Sequence, residues 1–298
     1  MLEQTTFSKV TDALAGSLKL ALKYQSPLVH SFSNANNRLV VLGNGPSLKA
    51  QMDRLQTLDQ FDFLGVNYFA CTDAYEKFKP TSYVIASPQY WIKDNQEEWN
   101  STRNKVFQCL IAKTKWECNF FVPVIAKKDK KWVKMMAANS FIKINYINLS
   151  PIDGNIAYFK KWMKRFMVCP RPHNVLVPSI LCAINMGYKD VYLAGADHSW
   201  IPEISVTKNN EVLIAQKHFY GDQHATNSLL SDKAKPMYSP GSQSTFKLHQ
   251  VLQKFYYSFK SYWILKEYAH MHNCNIYNLL DNSYIDAFPK ISFDDISS

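Results

Sequence analysis

The run Arg38-Leu39-Val40-Val41-Leu42-Gly43-Asn44-Gly45-Pro46-Ser47-Leu48-Lys49 constrains this chain more than any other stretch. An apolar strand signal leads straight into Gly-Asn-Gly-Pro-Ser, and a polar helical segment follows. That is the opening strand–loop–helix unit of an α/β sheet. Gly43 and Gly45 permit tight backbone geometry, Pro46 pre-sets a first helical turn, and the new helix offers N–H groups to an anion. A phosphate is the expected guest. The loop is neither Gly-x-Gly-x-x-Gly nor a Walker loop, since the third glycine and the Gly-Lys-Ser/Thr ending are missing. The plain alternative is a strand-to-helix turn that binds nothing.

The following segments continue the pattern. Helices are expected over 47–58, 92–113, 127–138, 158–166, 177–186 and 246–272, and strands over 61–67, 83–88, 119–124, 141–147, 191–197 and 275–279. In a parallel sheet the strand C-termini share an edge, so the Asn44 loop, Asn67 and Ser87 are expected to face one crevice. Asp197, His198 and Ser199 close the strand at 191–197. A hairpin turning at Asn209-Asn210 delivers His218, Phe219, Tyr220, Gly221 and Asp222. Residues 227–240 read as a polar lid.

At 298 residues, with 47% hydrophobic and 14% aromatic content, the chain is long enough to bury a substantial core. The six cysteines are scattered without a Cys-x-x-Cys pair, which implies reduced thiols and no zinc site. No apolar run has the length of a membrane span. The net charge of +10 concentrates at Lys127, Lys128, Lys130, Lys131 and Lys134 and at Lys160, Lys161, Lys164 and Arg165, among aromatics. Such patches suit a polyanion, an anionic membrane face or an acidic glycolipid. With no helix-turn-helix, zinc module or RNA-binding aromatic signature, nucleic acid ranks last. Residues 1–37 read as an N-terminal helix and linker, the helix packing on the domain or resting on a membrane, and 38–298 as the main domain.

Taken together, Val40–Lys49, the strand ending at Asn67, Gly187-Tyr188-Lys189-Asp190-Val191-Tyr192-Leu193-Ala194-Gly195-Ala196-Asp197, the late His218-Phe219-Tyr220-Gly221 and the C-terminal Asn282-Ser283-Tyr284 resemble the bacterial sialyltransferases of glycosyltransferase family 42. The wider Gly-x-Gly-Pro-Ser-Leu set, with the motility-associated nonulosonate transferases and a pterin pyrophosphokinase-like domain, is similar too. The resemblance implies a Rossmann-like, mostly parallel α/β sheet flanked by helices, a single-Rossmann GT-A-like variant. It carries a small lid or flap subdomain, placed here around 151–175 and 200–243. It also implies an inverting transfer from a CMP-linked acidic sugar, a nonulosonate or Kdo-type sugar, to a cell-surface glycan or glycolipid, with no metal and no other cofactor. A bacterial cytoplasmic enzyme of polysaccharide or lipopolysaccharide synthesis, peripheral on the inner membrane face, follows from that, with a homo-oligomer left open.

Carried over, the resemblance makes His218 the base. Asn44 and Ser47 hold donor phosphate and ribose, Asn67 touches cytidine or phosphate, and Asn282 and Ser283 lie near the nucleotide. His198, Ser199, Tyr220 and Arg171 are candidates for the leaving phosphate. Gly43, Gly45, Ser87 and Asp197 complete the binding set, Asp197 chiefly by accepting backbone N–H bonds. The chain departs from the family at Ser87-Pro88 (Asn-Pro there), at Asn174-Val175-Leu176 (Thr-Ser-Gly there) and at Ser199, where the family has a tyrosine. Two other readings stay open: a magnesium-dependent pyrophosphokinase, and a nucleotide- or glycan-binding protein without activity.

Overall fold

The computed structural model describes residues 10–11, 13–14, 16–18, 26–32, 34, 36–87, 90–91, 97–221, 232–238 and 244–296. Strands β1 (Arg38–Leu42), β2 (Phe61–Val66), β3 (Ser82–Val84), β4 (Cys118–Pro123), β5 (Ile142–Ile147), β8 (Asp190–Ala194) and β12 (Asn275–Asn278) form one seven-stranded sheet in the order β12-β8-β1-β2-β3-β4-β5. Every pairing in it is parallel. Parallel strands need crossovers, and those here are helices α1 (Leu48–Gln56), α2 (Ala74–Phe78), α3 (Glu97–Lys113), α4 (Lys130–Met136), α5 (Ile156–Lys164), α6 (Leu176–Met186) and α7 (Leu248–His270). The expected α/β, Rossmann-like fold is the observed one.

The continuous apolar run of β1 is explained by burial on both faces. Leu39 and Val41 join a core with α5, α6 and α7, while Val40 and Leu42 join a second core with α1, α3 and α4. Helix α6 is buried all round, which is why its sequence carries no polar stripe. Segment 151–175, expected as a flap, instead gives Ile152, Ile156, Phe159, Met163, Phe166 and Cys169 to the first core. Its basic residues lie on the opposite side of an amphipathic helix. It also holds the short strands β6 (Pro151–Ile152) and β7 (Cys169–Pro170), too brief to show a period in sequence.

Topology positions the site. From β1 the chain steps outward through β2, β3, β4 and β5, then returns to the other side of β1 as β8. The order reverses between β1 and β8, the place where open α/β sheets form a crevice beyond their strand ends. A three-stranded antiparallel sheet, β11-β10-β9, stands beside it, with β9 at Ile204–Val206, β10 at Val212–Ile214 and β11 at Lys235–Pro236. The hairpin ends earlier than expected, so His218 lies in the irregular segment after β10. Strand β3 also ends early, at Val84. Pro88, Asp222, most of 1–25 and much of the 227–240 lid lie outside the described residues. Of the N-terminal helix, Val10, Leu14 and Leu18 are exposed.

Candidate functional site

The loops after β1 and β8 are bound to each other. Gly43 N–H donates to Ala194 O (2.8 Å) and Gly45 N–H to Gly195 O (2.9 Å). A Cβ on Gly43 would meet Gly195 O at 2.5 Å, and one on Gly45 would meet Asp197 Oδ2 at 1.9 Å. Gly195 itself sits at φ +60°. The glycines are therefore required by loop-on-loop packing. Asp197 Oδ1 accepts Ser47 N–H (3.2 Å) and its Oδ2 accepts Ser47 Oγ–H (2.8 Å). The carboxylate occupies the N-terminus of α1, as an anion should. Ser47, expected to hold donor phosphate or ribose, gives both of these donors to the site's own carboxylate.

Above these loops lies a cleft of about 610 Å³. It brings together Asn44, Gly45, Asn67, Ser87, Asp197, His198, Ser199 and His218 from the sequence-derived set. Asn44 Nδ2–H reaches Val66 O (3.3 Å), and Asn44 O accepts Phe219 N–H (3.0 Å), which pins the His218 segment to the loop. Asn67 holds φ +50°, braced by Tyr83 Oη–H donating to Asn67 O (2.7 Å). Among the described residues, four buried polar atoms of the cleft have no hydrogen-bond partner: Asn44 Oδ1, Asn67 Oδ1, Asn174 Nδ2 and His218 Nδ1. Such atoms are costly unless something polar meets them.

Six candidates lie elsewhere. Gly43 is buried in the loop contact, and Ser47 is turned to Asp197. Tyr220 is buried beneath His218, rings stacked at 4.9 Å, and packs on Tyr68. Arg171 pairs with Asp153 and lies over the Tyr257 ring at 4.1 Å. Ser283 Oγ–H donates to Ala196 O (2.6 Å), supporting the β8 loop from behind, and Asn282 is exposed beside it.

Both central histidines are neutral at pH 7. Burial drives His198 down to about 3. Its Nε2 bonds Tyr262 Oη, whose hydroxyl donates to Asn174 Oδ1 (3.0 Å), and its ring stacks on Trp200 at 4.1 Å. Because the Tyr262 hydroxyl donates to Asn174, the one N–H of the neutral His198 ring is turned to Tyr262 Oη, and His198 braces the wall of the cleft. Burial likewise lowers His218 to about 4, against an opposing pull from Asp232, whose Oδ1 accepts the His218 backbone N–H (3.0 Å). His218 therefore holds a proton less readily than an ordinary imidazole.

Several lining residues were not singled out beforehand: His173, Trp200, Glu203, Lys217 and Lys254, with Asn174 now given a place. Asn174 Oδ1 accepts Leu176 N–H (3.0 Å) and Val177 N–H (3.2 Å), capping α6. Lys217 pairs with Glu203. Lys254 is different: its ammonium lies 3.6 Å from the Phe246 ring centroid and near Met237 Sδ, and its pKa is lowered by burial. Among the described residues no carboxylate forms an ion pair with it. Val251, Lys254, Phe255 and Ser258 share one face of α7, so this lysine sits on the helix's buried stripe. Among the described residues no group of three or more His, Cys, Asp or Glu could hold a metal ion.

The fold and site define an α/β protein with a polar cleft at its sheet's switch point. No protein-family model and no curated protein matches the sequence. Among solved structures, the MAf glycosyltransferase from Magnetospirillum magneticum AMB-1 aligns over 96% of this chain and 38% of its own, at 12% identity and a TM-score of 0.49. This chain thus spans well under half of that protein. The monofunctional alpha-2,3-sialyltransferase Cst-I from Campylobacter jejuni aligns over 89% of this chain and 84% of its own, at 16% identity and a TM-score of 0.40. The sialyltransferase CST-II in complex with trisaccharide acceptor and CMP aligns over 86% of each chain, at 17% and 0.42. Bacterial sialyltransferases, which the sequence motifs resemble, are therefore among the structures to which this chain is similar.

Proposed function

We propose that the protein is an inverting, metal-independent glycosyltransferase that moves an acidic sugar from a CMP-linked donor to a glycan or glycolipid hydroxyl. The observation that carries this reading is the set of unpartnered buried atoms at the switch point. Asn44 Oδ1 and Asn67 Oδ1, which follow β1 and β2, are free to accept, while Asn174 Nδ2, before α6, is free to donate, and Lys254 adds a cation to the same lining. A ligand with N–H or hydroxyl donors at one end and anionic oxygens at the other satisfies both, and a nucleotide-linked acidic sugar has that polarity.

In this reading His218 Nδ1 takes the acceptor hydroxyl's proton as that oxygen attacks the anomeric carbon. The bond from that carbon to the phosphate oxygen breaks, and its electron pair leaves with CMP. Lys254 and His173 face the departing phosphate in place of the family's tyrosine. His218 is neutral and so ready to accept. An anionic donor bound nearby raises its proton affinity from the low value that burial imposes, since negative charge favours the imidazolium. Membrane-face localisation belongs to this proposal through the glycolipid acceptor and the basic surface.

Incubation with a CMP-linked sialic acid and a lactose-terminated acceptor, followed by CMP release, tests the reading. Release that requires acceptor and falls by about a thousandfold in His218→Ala supports it. The alternative, a binding protein without activity, is favoured by the low proton affinity of His218, and CMP binding without any turnover would establish it.

A further inference from the structure

A second cleft, of about 790 Å³, lies along the same strand-end edge. Its lining includes Trp91, which follows β3, and Lys128, in the 3-10 turn after β4. Ser87 in the first cleft and Trp91 in the second are four residues apart. Chain reach limits their Cα separation to roughly 14 Å.

The chemistry of this cleft is one-sided. Trp91 is 5% exposed, and its buried indole Nε1–H has no hydrogen-bond partner among the described residues. Arg103 is partly buried; its Nη1 lies 3.8 Å from Asp129 Oδ2, and its buried Nε–H likewise has no partner among the described residues. Lys128, Lys130 and Lys131 are exposed on the rim, and none forms an ion pair among the described residues. Asp129 is the single acid among the described lining residues. Its Oδ1 is engaged by Lys131 N–H at the start of α4. Two orphaned donors and four cations against one engaged carboxylate ask for a ligand made of acceptor oxygens.

We propose that this second cleft is a phosphate-binding site. Arg103 Nε and Trp91 Nε1 supply directed hydrogen bonds, and Lys128, Lys130 and Lys131 supply charge. The aromatic floor of Phe107 and Trp132 keeps the donors dry, which strengthens each bond. Its position one short segment from the first cleft suits a phosphate carried by a molecule that reaches both. The site stands on its own residues and does not depend on whether the neighbouring cleft transfers a sugar.

The test uses the full chain, with inorganic pyrophosphate as probe and the Trp91 indole N–H resonance, assigned through Trp91→Phe, as readout. Pyrophosphate should move that resonance, and Arg103→Gln should weaken binding about tenfold. The exposed double change Lys128→Gln with Lys131→Gln should weaken it too and flatten its salt dependence. Co-sedimentation with phosphatidylglycerol against phosphatidylcholine vesicles identifies the source. Arg103-dependent vesicle binding places the phosphate on a lipid headgroup, and pyrophosphate binding alone places it on a soluble phosphorylated ligand. A Trp91 resonance that does not move overturns the proposal. So does binding that survives both changes but is lost in Lys254→Met, since that anion sits in the first cleft.

Discussion

Asp197 holds Ser47 by two hydrogen bonds, from the backbone N–H and from the hydroxyl, and so closes the N-terminus of α1 across the switch point between β1 and β8. The anion that the Gly-Asn-Gly-Pro-Ser loop calls for is supplied by the protein. The proposed function accordingly gives ligand recognition to Asn44, Asn67, Asn174 and Lys254, which line the cleft. Burial raises the Asp197 carboxyl above its usual range, while the Ser47 bonds oppose that. Ser47→Ala should cost about 2 kcal/mol, the weight of a hydrogen bond to a charged group. Urea denaturation measures it.

Gly45→Ala should be at least as damaging, by about 3 kcal/mol. The added Cβ would meet Asp197 Oδ2 at 1.9 Å and Gly195 O at 2.6 Å, and neither loop can retreat without breaking the other's bonds. The same denaturation curves, compared with wild type, read the loss.

His198 should make the fold acid-sensitive. Its folded value of about 3 lies below the ordinary 6.5, so the unfolded chain binds the extra proton. The stability it contributes is complete above pH 6.5 and is lost as pH falls toward 3. At pH 5 the loss is about 2 kcal/mol. His198→Asn tolerates the φ of +52° but gives up the Tyr262 bond. That variant should be less stable at pH 7 yet show a shallower decline between pH 6.5 and 5.

Lys254→Met removes a half-buried charge that lies against Phe246 and Met237. Stability at pH 7 should hold within about 1 kcal/mol, since a methionine keeps the apolar contacts. Affinity for CMP should fall about tenfold. Thermal unfolding and calorimetry separate the two.

Asn67→Gly should show the same division. Glycine adopts φ +50° freely, and the change deletes an unpartnered buried oxygen. The variant should unfold within about 1 kcal/mol of wild type and bind CMP about tenfold more weakly.

The β1 loop, Asn67, Ser87 and the β8 terminus were legible in sequence because apolar runs ending in polar residues mark strand ends on one edge. The rest of the lining was not. Lys254 comes from a helix more than two hundred residues after the β1 loop, where a lysine ordinarily reads as solvated. Only its place beside Val251, Phe255 and Ser258 on one helical face signals burial. His173 and Asn174 had a local signal in the Pro-Arg-Pro-His-Asn start of the apolar helix α6. The roles of His198 and Tyr220 turned on burial, which their motifs do not encode: both look like exposed site residues until Tyr262, Trp200 and Tyr68 close around them. Segment 151–175 read as a flap because its basic face dominates composition, while its apolar residues at helical spacing are the part that packs.

Calorimetric titration of CMP into wild-type protein and Asn44→Ala, with magnesium present and with it chelated, tests the central claim most directly. The account predicts binding that is unchanged by chelation and lost in Asn44→Ala, because the Asn44 carboxamide lines the cleft with an unmet acceptor. Absence of CMP binding, or binding that needs magnesium and is indifferent to Asn44, would contradict it.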